Sequence, residues 1–475
     1  MYVSRINDLH RRAFLKRAAA LAGVGAGAGL AMNLAAAGEA AAFDNTDYKA
    51  LVCVFFYGGN DYGNTVIPYD LANYDLYSAI RGGAAGRTRG GIALGHDELD
   101  GTALATLAPQ TLTDDLRYAL APELTNLAAL FNTGHAAVQL NVGPLEVPLT
   151  LAQYNSGDKN YPLPPKLFSH NDQASVWQAL GSEGATVGWG GRLGDLSLSS
   201  NTTSMLTCIS AAGNAVFVSG QDALQYQISP DGAIPIWAAG GWVYNAAAPS
   251  STLRALITQS SSNILENEFA RVTTRSMSLQ GIVNGAIDPV TIATDFHPSG
   301  RPNNLADQLK VVAKLIAARS TLGSRRQVFF VSMGGFDTHD GLMANHPGLM
   351  AGFNEAIGAF YNATVELGVA DKVTTFTASD FGRTLSTNGD GSDHGWGSHH
   401  FIVGGAVKGG QFYGTAPHVS TESDDQVGQG RLLPSTSVDQ MAATLGRWFG
   451  VSNSELPTIL PRIGRFATSD IGFMG

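Results

Sequence analysis

Five runs of consecutive hydrophobic residues recur along the chain. Runs such as LVCVFF and VFFV have no internal polar position, so they lack the alternation of a strand with one solvated face. Continuous apolar runs of this length predict strands buried on both faces, as in parallel sheets. Glycine pairs follow several of them and predict tight exits into loops. The five predicted strands lie within residues 50–61, 135–143, 326–341, 372–383 and 399–410.

Helical periodicity occupies the intervals between these runs. In one of them Leu349, Phe353, Ile357 and Phe360 recur at three or four residues, which predicts a helix with one apolar face. Alternating strands and helices predict an α/β fold, with a largely parallel sheet and helices on both of its faces. Functional sites in such sheets lie beyond the carboxyl ends of the strands. The predicted helices lie within residues 122–133, 302–323, 347–368 and 435–450.

The stretch from about residue 180 to 300 departs from this alternation and is rich in serine, threonine, alanine and glycine. We interpret it as an inserted subdomain within a main α/β domain of residues 43–475. A chain of 475 residues suits either one large α/β domain with insertions or two domains.

Composition and charge narrow the class of protein. Hydrophobic residues make up 44% of the chain, enough for a substantial core, and 57 glycines indicate many loops. The net charge of −10 argues against a nucleic-acid partner, because binding phosphates requires a basic face. Cys53 lies inside an apolar run and is predicted to be a buried thiol. Nothing in the sequence supports a disulfide between Cys53 and Cys208.

The N-terminus has the pattern of a twin-arginine export signal. Arg11 and Arg12 precede a mild stretch of alanine and glycine, and small residues suited to cleavage follow at 40–42. We therefore predict a signal peptide over residues 1–42 and a mature chain that begins near Phe43, in the periplasm or outside the cell. No stretch is long and apolar enough to predict a stable membrane span.

Aspartates and histidines gather where the predicted strands end. Like-charged carboxylates crowded at one sheet edge repel one another unless a cation lies between them, and a divalent metal supplies that charge. Taken singly, each residue is more typical of a turn, a helix cap or a solvated loop. Together they predict a metal site of mixed aspartate and histidine ligands, which suits zinc, manganese, calcium or magnesium. The four clusters are Asp61 with Thr65, Asp337 with His339, Asp380 with Arg383, and Asp393 with His394, His399 and His400.

Three other motifs are excluded. The DFG triplet at 380–382 has no glycine-rich loop, lysine strand or HRD segment beside it, so a kinase is excluded. The segment NGDGSD at 388–393 lacks the twelfth-position glutamate of a calcium loop. No G-x-S-x-G nucleophile elbow occurs in the predicted mature chain.

An ordered set of motifs resembles the domain-of-unknown-function family 1501. Members of that family are exported bacterial proteins, and it is grouped with the alkaline phosphatase-like superfamily of phosphatases, sulfatases and phosphomutases. The resemblance covers most of the predicted mature chain and implies an alkaline phosphatase-like fold. The motifs that carry it are FFYGGNDYGNTVIP, FSHNDQASVWQAL with GWGGRL, FFVSMGGFDTHDG, SDFGRT and SDHGWGSHHFIVGGAVKGG.

The resemblance also implies a set of site residues. Superfamily members hold one or two metals with aspartate and histidine ligands at strand ends, beside a serine, threonine or modified-cysteine nucleophile. Two positions depart from the pattern: Phe381 stands where many members have histidine or asparagine, and Asp380 stands where many relatives have glutamate. Carried onto this chain, the metal ligands are Asp61, Asp337, His339, Asp380 and a histidine of the 394–400 loop, for which His394 and His399 are the candidates.

The candidate catalytic residues are Ser169, Thr65 and Arg383. Ser169 lies at a predicted helix start, where it is either a nucleophile or a plain N-cap, and Thr65 follows Asp61 closely. The planar guanidinium of Arg383 suits a non-bridging ester oxygen. His170 and Asp172 either line the site or solvate the helix end. Neither cysteine lies in a C-x-P-S-R segment, so a formylglycine mechanism is excluded.

Two functions follow from this reasoning. The first is an exported metal-dependent hydrolase or transferase that acts on phosphate or sulfate esters of a small molecule or a polysaccharide. The alternative is an exported, non-catalytic binding or assembly protein with a structural metal on the same fold. A redox role has no cofactor motif to support it.

Overall fold

The computed structural model describes residues 43–240, 246 and 248–475 of the chain. The predicted signal peptide lies outside these residues. Twelve strands are described: β1 Lys49–Phe56, β2 Val66–Pro68, β3 Tyr118–Leu120, β4 Ala136–Gly143, β5 Cys208–Ser210, β6 Tyr226–Ser229, β7 Gly232–Ala233, β8 Arg326–Met333, β9 Val373–Ser379, β10 Ser398–Gly404, β11 Phe412–Tyr413 and β12 Thr436–Ser437.

One ten-stranded sheet organises the molecule. Its strand order is β11-β4-β10-β9-β1-β8-β5-β6-β7, and β12 also pairs with β4. The central strand β1 runs parallel to both β8 and β9, and β5 and β6 continue the parallel arrangement outward. The prediction of a largely parallel sheet is confirmed, and all five predicted strands are present. β2 and β3 form a separate antiparallel pair.

Strand β10 is the main departure from parallel order, because it runs antiparallel to both β9 and β4. The residues between β9 and β10 contain no helix that could carry the chain back across the sheet. A parallel partner requires such a crossover, whereas a loop that stays at one edge returns the chain antiparallel. The glycine-rich and polar segment 380–397 is that loop.

Apolar side chains of β1 serve two cores, one on each face of the sheet. Val52 and Val54 face one core, and Cys53 and Phe55 face the other. This division explains the continuous apolar run, since a strand covered on both faces has no solvated position. Both cysteines are buried free thiols.

Helices cover both sheet faces, as predicted. Helices α9 and α11 pack on the first core, whereas α5 and α12 pack on the second. The helices are α1 Leu71–Ile80, α2 Thr125–Asn132, α3 Leu151–Ser156, α4 His170–Ala179, α5 Trp189–Ser197, α6 Trp237–Gly240, α7 Ala248–Thr258, α8 Ile264–Ile287, α9 Asn304–Ala317, α10 Arg319–Leu322, α11 Leu342–Glu366, α12 Val438–Phe449 and α13 Leu456–Ile459.

The helix ends follow the sequence signals. Asn303 caps α9 by accepting a hydrogen bond from the backbone N–H of Ala306, and Gly323 ends α10 in the left-handed conformation. Ser437 caps α12 in a reciprocal capping box with Gln440. Helix α11 begins at Leu342, five residues before the predicted start, so it includes Pro347.

The stretch predicted as an insertion contributes to the main sheet. It supplies β5, β6 and β7, which form one side of the sheet and end at the edge strand β7, as well as helices α5 to α8. Its division into a separate subdomain stays a prediction. None of the described helices has the length and hydrophobicity that a membrane span requires.

Because both faces of β1 are covered, shortening one of its buried side chains is expected to destabilise the protein. Leu51 has no exposed surface, so Leu51→Ala is expected to lower the free energy of unfolding by about 2–5 kcal/mol, measured by urea denaturation. Leu224 is 65% exposed, so Leu224→Ala serves as the matched control, with a change within about 0.5 kcal/mol. Equal losses in the two variants would contradict the described packing.

Candidate metal centre

Three strand ends meet at one edge of the sheet. Phe56, the last residue of β1, pairs with Met333 of β8 and Ser379 of β9, so all three parallel strands end in register. The loops that follow carry Gly58, Asp337 and Asp380, and the Gly58 N–H donates to Oδ2 of Asp380 at 2.8 Å.

Gly58 is required for this convergence. Its φ of +118° lies in the region that favours glycine, and a Cβ atom there would lie 2.3 Å from the backbone nitrogen of Asp337. The glycine therefore lets the β1 exit lie directly against the loop that presents Asp337.

His170, the first residue of α4, joins the strand ends from the side. Its Nδ1 lies 2.8 Å from Oδ2 of Asp380, so the ring donates a hydrogen bond to that carboxylate. Because Asp380 is almost fully buried, its carboxylate has a fixed position and holds the His170 ring in one orientation. His170 belongs to the FSHNDQ motif, where the sequence left open whether it lines the site or solvates a helix end. The structure places it in the site.

His339 and His394 are oriented in the same way. Nδ1 of His394 lies 2.8 Å from the carbonyl oxygen of Phe168, and Nδ1 of His339 lies 3.2 Å from Oδ1 of Asp393. Carbonyl and carboxylate oxygens only accept hydrogen bonds, so each Nδ1 carries the proton. In the neutral form of each ring, Nε2 is then left with a free lone pair.

These Nε2 atoms converge on Asp337. Its Oδ1 lies 3.3 Å from Nε2 of His394, 3.3 Å from Nε2 of His339 and 3.5 Å from Nε2 of His170. The Nε2 atoms of His339 and His394 are only 2.8 Å apart. Nε2 of His170 is buried without a hydrogen-bond partner. Three lone pairs and a carboxylate facing one another repel unless a proton or a metal ion lies between them.

The donor spacing fits a single metal ion. His170, Asp337 and His394 offer ligand atoms that all lie within 4.8 Å of one another. His339 is not part of that group, although its Nε2 lies 2.8 Å from Nε2 of His394 and 3.3 Å from Oδ1 of Asp337. Four ligands around zinc at 2.0–2.1 Å in a tetrahedron lie about 3.3 Å apart, close to the spacing around Asp337. A hydrogen bond from each metal-binding histidine to a carboxylate or carbonyl is the usual way that proteins orient such ligands.

Burial and charge set the protonation of the site. The hydrogen bond to Asp380 raises the pKa of His170 above its ordinary value, although burial opposes it. Burial lowers the pKa of His394. Burial alone would raise the pKa of Asp337, but the hydrogen bond and charge of Arg383 outweigh it and lower the value. The Asp337 side chain is 48% exposed, so the donor cluster opens to solvent.

The aromatic ring of Phe381 packs against two of the clustered histidines. Its ring is buried, and its centroid lies 4.8 Å from that of His170 and 4.7 Å from that of His394. At this position, where the resemblance led us to expect a polar residue, the chain packs the histidines on an apolar surface. Asp380 therefore contacts the site through His170, and its Oδ1 is buried without a partner.

Arg383 does not face the open side. Its guanidinium is fully buried and donates to the carbonyl oxygens of Gly58 and Ser392 and to Oδ1 of Asp337, the last at 2.9 Å. The predicted role of holding an ester oxygen is not met by this geometry, because the protein itself occupies the N–H groups. Arg383 instead orients Asp337.

Asp61 and Thr65 lie below the cluster. Oδ2 of Asp61 accepts hydrogen bonds from Arg81 at 2.8 Å and from Ser392 at 2.7 Å. Thr65 is fully buried, and its hydroxyl donates to the carbonyl oxygen of Asp61 at 2.7 Å. Neither residue meets the converging Nε2 atoms, contrary to their predicted roles as ligand and nucleophile.

His399 also lies apart from the predicted ligand set. It is buried in β10, where its Nδ1 accepts a hydrogen bond from the backbone of Asn141 and its ring lies 5.1 Å from that of Tyr62. Burial lowers its pKa to about 3, so it stays neutral. Together with His400, it belongs to the strand interior.

Ser169 occupies the N-cap position of α4 without capping it. Its hydroxyl donates to Oδ2 of Asp172 at 2.9 Å rather than accepting a backbone N–H. Ser169 immediately precedes His170 in the chain. Asp172 contacts Ser169 and Lys166, not the converging histidines.

Comparison with known proteins identifies a matching family model. Residues 246–458 match the family model described as "Protein of unknown function (DUF1501)". The predicted resemblance to that family is confirmed over these residues, and the predicted export signal stays a prediction. The DUF1501 match includes Asp337, His339, Asp380 and His394, whereas His170 lies before it. No curated protein matches the chain.

Solved structures similar to this chain are distant in sequence. Ps i-CgsB bound to k-i-k-neocarrahexaose is 10% identical, with 88% of this chain and 77% of that chain covered at a TM-score of 0.35. The PsFucS1 sulfatase from Pseudoalteromonas sp. is 11% identical, with 89% and 70% covered at 0.33. The lipoteichoic acid synthase LtaP from Listeria monocytogenes is 10% identical, with 83% and 78% covered at 0.33. At these scores the similarities carry no activity or substrate to this chain.

The His170–Asp380 pair predicts a measurable titration. In metal-free protein, the His170 pKa is expected above 6.5, and Asp380→Asn is expected to lower it, as followed by NMR of the imidazole protons. Because the folded-state pKa is raised, the pair stabilises the metal-free fold below pH 6.5 and loses that contribution as pH rises through the folded pKa.

His418 provides an internal control for this titration. Its pKa is raised by a hydrogen bond to Asp114, which is separate from the cluster, so Asp380→Asn should leave it unchanged. A His170 pKa at or below 6.5 in the wild-type protein would contradict the described pair.

Proposed function

We propose that this protein is an exported metal-dependent hydrolase or transferase that acts on phosphate or sulfate esters. One observation carries the proposal: three imidazole Nε2 atoms and one carboxylate oxygen converge at the carboxyl edge of a parallel sheet. Sites of α/β sheets lie at that edge.

The proposed ligands are His170, Asp337, His339 and His394. Three imidazoles and one carboxylate favour zinc or manganese over calcium and magnesium, which prefer oxygen ligands. When bound, a divalent ion supplies positive charge that polarises ester oxygens and lowers the pKa of the attacking hydroxyl. The predicted ligands Asp61, Asp380 and His399 are not part of this proposal, and Asp380 instead accepts the hydrogen bond of His170.

The surrounding residues hold the ligands in place before any substrate arrives. Asp380, Asp393 and the Phe168 carbonyl each take an Nδ1–H, which fixes both the tautomer and the plane of one ring. Phe381 keeps water from entering beneath the rings. Such preorganisation removes the cost of arranging the ligands during the reaction.

Water and Ser169 are the two nucleophiles that this arrangement allows. Thr65 is excluded by its complete burial. Ser169 already donates its hydroxyl proton toward Asp172, so that carboxylate is the nearest acceptor for the proton during attack. In either case the attack would break the bond to the ester's alcohol, which leaves. Attack by water gives a hydrolase, whereas attack by Ser169 would hold the phosphoryl or sulfuryl group on its Oγ until a second alcohol displaces it, which allows a transferase.

A second function is favoured by a specific observation. Among the described residues, no side-chain hydroxyl donates a hydrogen bond to the converging ligand atoms, and the nearest guanidinium, Arg383, is occupied by protein. A non-catalytic binding or assembly protein with a structural metal would have these features. The site of that protein would hold the ion yet turn over no ester.

Activity measurements separate the two functions. Purified full-length protein, supplied with zinc or manganese, is expected to hydrolyse p-nitrophenyl phosphate or p-nitrophenyl sulfate, and a chelator is expected to abolish the reaction. His394→Ala should remove activity. Asp380→Ala removes the acceptor of both the His170 Nδ1–H and the Gly58 N–H, and should lower activity about 10–100-fold.

His418→Ala is the matched control for these variants. This histidine bonds Asp114 outside the cluster, so its removal should leave turnover unchanged. Hydrolysis that survives both chelation and His394→Ala would contradict the proposed centre. One bound ion without turnover on a wide ester panel would favour the non-catalytic function.

A further inference from the structure

A buried row of alternating charges runs beneath the proposed metal centre. Nη2 of Arg81 lies 2.8 Å from Oδ2 of Asp61, and Nη1 of Arg383 lies 2.9 Å from Oδ1 of Asp337. The first three of these residues are almost completely buried, whereas the Asp337 side chain is 48% exposed. The row therefore emerges from the core only at the carboxylate that faces the histidines.

Ser392 joins the two halves of this row. Its hydroxyl donates to Oδ2 of Asp61 at 2.7 Å and accepts a hydrogen bond from Nε of Arg383 at 3.2 Å. Its carbonyl oxygen also accepts from Nε of Arg383, at 3.0 Å. One buried serine thus fixes the position of the guanidinium relative to Asp61.

Asp61 is saturated by protein donors. Oδ1 accepts the backbone N–H of Asn64 at 2.9 Å, and Oδ2 accepts from both Arg81 and Ser392. If Asp61 moved to bind a metal, it would leave the Arg81 guanidinium buried and unpaired, at a cost of several kcal/mol. Asp61 is therefore the buried ion-pair partner of Arg81 and not a metal ligand.

Asp337 depends on Arg383 for its orientation. The Asp337 carboxylate lies on an exposed loop. Among the described residues, its partners are the three histidines and the Arg383 guanidinium. A free aspartate on such a loop would sample several rotamers in solvent. Arg383 also donates to the Gly58 carbonyl, so it connects the loops after β1, β8 and β9.

We infer that Asp61 and Ser392 are positioning residues, which act through Arg383 to hold Oδ1 of Asp337 at the point where the three histidines converge. This inference rests on the metal centre proposed above. It gives Asp61, the first aspartate after β1, a role three hydrogen bonds away from the ligand Asp337, through Ser392 and Arg383. A merely structural network would lower stability without changing how the folded protein binds a metal.

Cobalt binding tests the inference directly. Metal-free full-length protein is titrated with Co²⁺, and both the dissociation constant and the visible absorption bands of the bound ion are recorded. Ser392→Ala is expected to weaken Co²⁺ binding about tenfold and to alter the bands, because it removes a hydrogen bond that holds Arg383, and direct partners of ligands such as Arg383 affect affinity to that degree. Circular dichroism establishes that the variant is folded.

Ser197→Ala is the matched control. Ser197 is also a fully buried serine, but its hydroxyl donates only to helix carbonyls of Leu193 and Gly194. Its removal should leave the affinity and the bands as in the wild type. Asp61→Asn keeps the shape of Asp61 while removing its charge, and is expected to act like Ser392→Ala; it provides the comparison if Ser392→Ala does not fold.

The possible outcomes separate a failure of the positioning role from a failure of the proposed metal centre. If the wild type binds no Co²⁺, both the metal centre and the positioning role fail. If the wild type binds Co²⁺ and the folded Ser392→Ala or Asp61→Asn protein binds with the same affinity and bands, the positioning role fails while the centre stands. Weaker binding with altered bands, absent in Ser197→Ala, supports the inference.

Discussion

The site depends on how three imidazole rings are protonated. His170, His339 and His394 each keep the proton on Nδ1 and donate it in a hydrogen bond to an oxygen acceptor, so in the neutral rings Nε2 presents a lone pair. All three lone pairs face Oδ1 of Asp337 at 3.3–3.5 Å. Such an arrangement is unfavourable without a proton or cation at its centre, and the fold maintains it through buried partners.

The sheet makes this convergence possible. Parallel pairing in register brings the ends of β1, β8 and β9 to one edge, so residues more than 300 positions apart, such as Gly58 and Asp380, form a direct hydrogen bond. The helix that carries His170 then closes the cluster from the side. Apolar packing on both sheet faces keeps these strand ends from moving independently.

Much of the fold could be predicted from the sequence because its signals are local. The run LVCVFF has no polar position, which a strand covered on both faces requires, and Asn303 and Ser437 mark helix starts by their capping chemistry. The direction of β10 was harder to foresee. Its apolar run resembles that of a parallel strand, and only the absence of a crossover helix after β9 reverses it.

The candidate site was only partly predictable. Asp337, His339 and His394 follow strand ends, so edge geometry brings them together. Asp61 and His399 have the same residue types at similar places, yet a salt bridge with Arg81 and burial within β10 direct them into the core. Which of these side chains reach the cluster depends on the direction in which each one points, and that direction changes from one residue to the next along a strand. The pattern of residue types in the sequence does not show it.

X-ray absorption spectroscopy of the zinc-loaded protein reports directly on the proposed ligands. We expect one zinc per chain with nitrogen and oxygen ligands at about 2.0–2.1 Å and outer-shell scattering from three imidazoles. The outer-shell signal should diminish by one ring in His170→Ala, which tests the ligand that lies outside the family match. A spectrum described by oxygen ligands alone, without imidazole scattering, would contradict the account.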